Sequence, residues 1–340
     1  MPRFLKCLPL LLSAALLVSC GKSHKSLQKS SRSFFAMDTY MTITVYSDDP
    51  DSALSAAEQE ISRLDSLWSV TDSGSDIFLA NNSPSPVTVS DDTAELLRFG
   101  LEMSEVTGGA FDMTLYPVLR EWGFTTGDHR VPTDEELSAL LENVGFERVE
   151  LEGNSLSLPE GMMIDAGAIG KGFAGDRACE KLREKGVTSA IIDLGGNVQA
   201  IGSKPDGSPW KVGIRSPFGD GTFGVLSVRD KAVITSGGYE RFFTQDGRTY
   251  WHILDPATGY PADSGLLSVT VVGKEGRLCD ALSTSIFVMG ADKGAELWRT
   301  RDDFDFIAVT SGGSVILTEG LKDSFTLSED ISAEVSVILR

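Results

Sequence analysis

Three side-chain sets in this chain have types and spacings that could do chemistry. The first is a single histidine. Of His24, His129 and His252, His24 lies in a polar N-terminal run and His129 in a polar loop. His252 sits between Trp251 and Ile253 in an apolar strand running into Asp255-Pro256, so it is the one histidine placed to act as a general base. A histidine in such a strand is as readily a satisfied core residue. The second set is Asp280 and Thr284, four residues apart and so on one face of a helix. A carboxylate and a hydroxyl at that spacing can take two positions around a hard cation such as Mg²⁺, with water, backbone or phosphate oxygens filling the rest. Any helix offers such pairs by chance.

The third set is the stretch Ile164-Asp165-Ala166-Gly167-Ala168-Ile169-Gly170-Lys171-Gly172, at a strand-to-helix handover. Glycines there let the main chain approach a ligand, and a helix start offers N–H groups and the positive end of the helix dipole to a phosphate. A Walker pattern ending at Gly170-Lys171 would begin at Asp165 and have Gly172 as its Ser/Thr, and the glycine order is GxxGxG. The stretch is therefore neither a P-loop nor a dinucleotide fingerprint. A plain glycine-rich connection remains the alternative.

The elements that must hold these residues alternate in type. Met41, Ile43 and Val45 mark a strand over 38–47. Ala57, Ile61, Leu64 and Trp68 mark a helix over 52–68, and a loop follows from Thr71 to Ser85. Ser90 caps a helix over 91–106, and Thr133-Asp-Glu-Glu136 forms a capping box. A hairpin over 147–158 turns at Gly153-Asn154. Phe173, Ala174, Ala178 and Leu182 mark a helix face ending at Gly186, and Ala190-Ile191-Ile192 forms a buried strand that returns after Gly195-Gly196-Asn197. Strands follow over 210–214, 223–228, 250–254 and 266–272, and Val233 to Arg241 reads as a strand entering a small-residue turn. Helices over 280–289 and 293–300 come next, then a hairpin over 304–317. Strands are too frequent for a doubly wound sheet, and no linker divides the chain, so one compact α+β unit is expected.

Composition narrows the partners. The 340 residues carry a formal charge of −19, which repels nucleic acid and anionic surfaces and makes a bound cation a natural way to hold a phosphate ligand. Residues 1–19 read as a secretory signal, with Arg3, Lys6 and an apolar run from Leu8 to Val18, too short for a permanent span. It ends in Leu17-Val18-Ser19-Cys20-Gly21, which looks like a bacterial lipobox. Cys20 would then be the lipidated N-terminus, 20–33 a flexible tether and 34–340 the folded domain. Cys179 and Cys279 read as buried thiols, and nothing in their spacing supports a disulfide.

The ordered set Phe111-Asp112-Met113-Thr114, Asp165 to Gly172, Gly195-Gly196-Asn197, Thr235-Ser236-Gly237-Gly238-Tyr239, His252 to Pro261 and Asp280-Ala281-Leu282-Ser283-Thr284 resembles the ApbE-type FAD:protein FMN transferases over roughly residues 35–318. The resemblance implies a single domain with a mixed, largely antiparallel sheet and flanking helices. It implies a Mg²⁺-dependent enzyme that cleaves FAD, joins FMN through a phosphoester to a threonine or serine of an acceptor protein, such as a subunit of a membrane redox complex, and releases AMP. FAD pyrophosphatase activity and non-catalytic flavin binding are the alternatives. Carried over residue by residue, Met37, Ala110, Phe111, Asp112 and Ile253 would line the FAD pocket, and Asp165 and Lys171 would contact FAD. The Ala168 carbonyl, Asp280 and Thr284 would hold the metal, and His252 would be the base. The resemblance also implies export and lipid anchoring to a bacterial membrane, at the periplasmic side of the inner membrane or elsewhere in the envelope. The chain departs from the pattern at Met113, where many members have proline, and at Tyr116, where they have glycine. An aromatic that relatives supply after the first helix has no clear match near Trp68 and Thr71.

Overall fold

The computed structural model describes residues 27–84 and 86–340. The signal segment and Cys20 lie outside the described residues.

Nine strands form the main sheet among the described residues. Their spatial order is Gln28–Ala36, Thr39–Ser47, Ser189–Leu194, Asn197–Ile201, Ala232–Gly237, Leu266–Gly273, Phe304–Thr310, Val315–Thr318 and Val335–Ile338. Each neighbouring pair is antiparallel except the last, which is parallel. The sheet is thus mixed and largely antiparallel, in an α+β molecule, as expected. Its central strands are covered on both faces, so successive apolar residues point into different cores. Ile234 and Val271 pack with the helices, while Val233 and Val272 pack beneath a small three-stranded sheet built on Trp210–Arg215, Thr222–Val228 and Phe325–Leu327. Double burial explains why these strands read as continuous apolar runs.

The helices Pro50–Trp68, Asp91–Val106, Gly170–Glu184 and Gly276–Met289 cover the other face. Their starts follow local chemistry. Asp49 Oδ1 accepts from the Ser52 N–H, Ser90 Oγ from the Thr93 N–H, and Thr133 and Glu136 form the reciprocal capping box. Among the described residues no helix is long and apolar enough to cross a membrane.

Four sequence expectations change. Residues 28–33, read as tether, belong to the edge strand Gln28–Ala36, where Ser31 and Ser33 hydroxyls bond those of Thr44 and Thr42 at 2.8 and 2.9 Å. The loop over 71–85 contains the helix Asp76–Asn82, capped by Ser75. The helix bearing Asp280 begins one turn earlier, at Gly276. The strand expected over 250–254 is Arg248–Trp251, so His252 lies just past its end, where its N–H donates to the Arg241 carbonyl at 3.0 Å.

Candidate active site

Register gathers several strand ends at one end of the main sheet. Met41 pairs with Leu194, Leu194 with Asn197, Asn197 with Ile234, and Gly237 with Ser268. The Gly195-Gly196 turn therefore lies beside the start of Thr39–Ser47, and both glycines have positive φ. A Cβ on Gly195 would fall 2.3 Å from Thr39 Oγ1, so only glycine fits.

Two helices meet above this end through a pair of glycines. A Cβ on Gly172 would lie 2.3 Å from the Gly276 carbonyl oxygen, and one on Gly276 would lie 2.6 Å from that of Gly172. This close approach lets the buried Asp280 accept from the Gly172 N–H at 2.8 Å. Gln199 Nε2 donates to the Gly172 carbonyl at 2.9 Å. The start of Gly276–Met289 has no cap from its own N-cap residue. Instead Asp176, reaching from the other helix, accepts from the N–H groups of Gly276 and Arg277 at 2.6 and 2.9 Å. Its pKa is pushed up to about 6 by burial, against the pull of those N–H groups and Arg277. Gly172 thus serves helix contact, not the ligand approach that its glycine-rich surroundings suggest.

The polar residues nominated from sequence converge here. Lys171, at the start of Gly170–Glu184, places its charge close enough to Asp165, Asp280 and His252 to act on all three. Burial raises the pKa values of Asp165 and Asp280, and Lys171 opposes the rise at both. Asp165 accepts from the Gly167 N–H at 2.6 Å, and its own N–H donates to the Met113 carbonyl at 2.9 Å. Thr284 lies one turn after Asp280. Ser236 Oγ bonds the hydroxyls of Ser283 and Thr284 at 2.8 and 3.2 Å. Ala168 is half-buried in the turn that leads into the lysine-bearing helix.

The half-buried His252 imidazole is held by Arg241. Nδ1 lies 3.2 Å from the Arg241 carbonyl, and a carbonyl oxygen can only accept. The neutral ring must therefore carry its proton on Nδ1 and keep Nε2 as a free base. Burial, then the positive charge of Arg241, lowers its pKa to about 4. The ring is therefore neutral, not imidazolium, at pH 7.

Among the described residues no three His, Cys, Asp or Glu side chains converge as a metal site. The donors around Asp280 are hydroxyl oxygens, a set that fits a hard cation completing its shell with carbonyl, water or phosphate oxygens.

The expected pocket residues are placed differently from one another. Phe111 and Ile253 are buried in the main core. Met37 packs against that core from the hairpin turn, where it and Asp38 have φ of 46° and 57°. Ala110 lines a cavity of about 610 Å³ with Gly109, Asp255, Met289 and Lys293. Asp112 folds its own loop: Oδ1 accepts from the Thr114 N–H and hydroxyl at 2.8 and 2.6 Å, and Oδ2 from the Phe146 N–H at 3.3 Å. Sequence reasoning missed Arg241 and Asn81. The Asn81 amide pairs with both the Ile164 N–H (2.7 Å) and carbonyl (2.8 Å), as a strand neighbour would, and so aligns Asp165. An asparagine in a Ser/Asn/Pro-rich segment carries no signal of that partner.

The same elements recur in known proteins. The FAD:protein FMN transferase of Klebsiella pneumoniae (strain 342) is 35% identical over 289 residues, spanning 83% of this chain and 89% of the relative. That of Treponema pallidum (strain Nichols) is 34% identical over 329 residues, spanning 90% and 91%. The crystal structure of the ApbE protein from Thermotoga maritima superposes with a TM-score of 0.83 at 33% identity, over 87% of this chain and 99% of that one. Residues 37–308 match the ApbE family as a whole. With the glycine-bridged helix pair, the lysine between two carboxylates and the carbonyl-held histidine all inside that matched span, the chain belongs to the ApbE family.

Proposed function

We propose that this enzyme is an FAD:protein FMN transferase, which cleaves FAD at its pyrophosphate, attaches FMN through a phosphoester to a Thr or Ser hydroxyl of an acceptor protein, and releases AMP. The observation that carries the reading is the meeting of a neutral, Nε2-free His252 with Lys171, Asp165 and Asp280 at one end of the sheet. The names of the relatives support the same reaction.

The residues divide the work. His252 accepts the acceptor's hydroxyl proton at Nε2 while the Arg241 carbonyl fixes the ring through Nδ1. The freed oxygen bonds to the FMN phosphorus, and the bond from that phosphorus to the bridging oxygen breaks, so AMP carries the bridging oxygen away. Lys171 brings positive charge to phosphates that an acidic chain would otherwise repel. Asp280, Thr284 and the Ala168 carbonyl would hold Mg²⁺. Bound there, the ion supplies further charge neutralisation on the pyrophosphate. Asp280→Ala is expected to abolish Mg²⁺-stimulated AMP release, read by chromatography across a Mg²⁺ titration. Wild-type stimulation in that variant would sink the metal assignment.

We further propose that the chain is exported and lipid-anchored through Cys20, on the support of the lipobox-like sequence at 17–21. Cys20→Ser is expected to move the protein from the membrane fraction to the soluble fraction of the envelope. Retention on the membrane would argue against the anchor.

A further inference from the structure

Two amides stand where the strand Asn197–Ile201 would be expected to be apolar. Side chains alternate along a strand, and here Val198 and Ala200 pack beneath the small sheet while Ile201 packs with the helices. Asn197 and Gln199 therefore share the helix-facing side with Ile201, and each is only 4% exposed. Gln199 is accounted for: Nε2 donates to the Gly172 carbonyl at 2.9 Å, and Oε1 accepts from the Cys179 thiol at 3.5 Å. Asn197 is not. Its Nδ2 is buried and reaches no partner at full hydrogen-bond geometry.

The acceptor within its reach is the Asp280 carboxylate, on which Asn197 acts as a side-chain donor. Lys171 and the Gly172 N–H bear on the same carboxylate. The Gly172 N–H holds Oδ2 at 2.8 Å, whereas Lys171 is shared with Asp165 and, in the reading above, with the pyrophosphate. Asn197 Nδ2 has no other partner among the described residues, so its amide is free to serve Asp280 alone. An unpaired amide buried in a core is disfavoured against an apolar residue of the same shape, so its presence calls for a reason. The reason lies next to it, in the one buried carboxylate of the helix Gly276–Met289.

We propose that Asn197 is a positioning residue for the cation: with the Gly172 N–H, its amide orients the Asp280 carboxylate and leaves the remaining lone pairs for Mg²⁺. The proposal rests on the assignment of Asp280 to the metal made above. Hydrogen-bond partners behind a ligating carboxylate are typically worth about 10- to 100-fold in metal affinity.

The test compares the full-length wild type with Asn197→Leu, which removes the donor and keeps a side chain of similar size. Mn²⁺ affinity is read by electron paramagnetic resonance without FAD, and the Mg²⁺ concentration for half-maximal AMP release is read at saturating FAD. The Mn²⁺ Kd and the half-maximal Mg²⁺ concentration are both expected to rise by about 10- to 100-fold, with the maximal rate regained at high Mg²⁺. FAD affinity without metal, read by flavin fluorescence, should stay unchanged. The urea midpoint without metal should not fall, since Nδ2 gives up no full hydrogen bond. Asn197→Ala should show the same metal shift at lower stability, and it carries the test if the leucine variant does not fold. Wild-type metal affinity in these variants would overturn the proposal. So would a maximal rate that stays low at saturating Mg²⁺ with metal affinity unchanged, which would put the amide on the substrate instead. A wild type that binds Mn²⁺ but releases no AMP would count against the transferase reading alone, and the Mn²⁺ shift would still decide the role of Asn197. If the wild type neither binds Mn²⁺ nor responds to Mg²⁺, the metal assignment fails and the proposal with it.

Discussion

At the residue scale, the chemistry depends on how one imidazole is kept neutral. The Arg241 carbonyl fixes its tautomer, and burial with the Arg241 charge lowers its pKa to about 4, against about 6.5 for a free histidine. The acid limb of kcat/KM due to this group should therefore fall near pH 4, with His252 contributing no loss of rate between pH 8 and 5. A limb near 6.5 in the pH–rate profile would contradict the assignment. The stability linkage has a definite sign. Between about 4 and 6.5 the unfolded chain binds a proton at this site that the native chain does not, so this group's contribution to stability rises with pH through that window. His252→Ala should keep FAD affinity and lose on the order of 10²–10⁴-fold in turnover. Normal turnover with weakened FAD binding would instead make His252 a binding residue.

At the element scale, the site exists because two helices touch through glycine. Gly172→Ala would drive a Cβ to 2.3 Å from the Gly276 carbonyl oxygen and 2.7 Å from Asp280 Cβ, and backbone must shift to relieve it. Overpacking of this kind costs about 1–3 kcal/mol, to be read from the urea midpoint, and Mg²⁺-stimulated turnover should fall with it as Asp280 is displaced. Gly74→Ala is the control, since its Cβ would meet only Asp72 Oδ1 at 3.5 Å. Equal stability of the Gly172 variant and the parent would show that the helices do not depend on that contact. What the sequence displayed divides along the same line. The helices over 52–68 and 91–106 and the capping box at Thr133 were legible, because caps and apolar periodicity are local signals. The Asp280/Thr284 pair was legible as a spacing. Contacts made across the fold were not: Asp176 capping a helix 100 residues on, Asn81 pairing with Ile164, and Arg241 holding His252.

At the scale of the whole molecule, the edge strand shows why a boundary was misread. Gln28–Ala36 is polar because it is an edge, with one strand neighbour and an exposed or half-buried face along most of its length. A serine-rich edge strand and a serine-rich tether have the same composition, and only the pairing partner Thr39–Ser47 separates them. The large sheet then does one job for function: it brings turns from distant parts of the chain to one end, where the helix pair closes over them. The chain's net charge of −19 makes local cations at that end, Lys171 and Arg241, the means of drawing in a pyrophosphate. The most direct measurement incubates the purified enzyme with FAD and Mg²⁺, with and without an acceptor protein that carries an accessible threonine, and follows all products by mass spectrometry. The account predicts that the acceptor gains the mass of FMN as an equal amount of AMP appears. Free FMN and AMP with an unmodified acceptor, or FAD left intact, would contradict it.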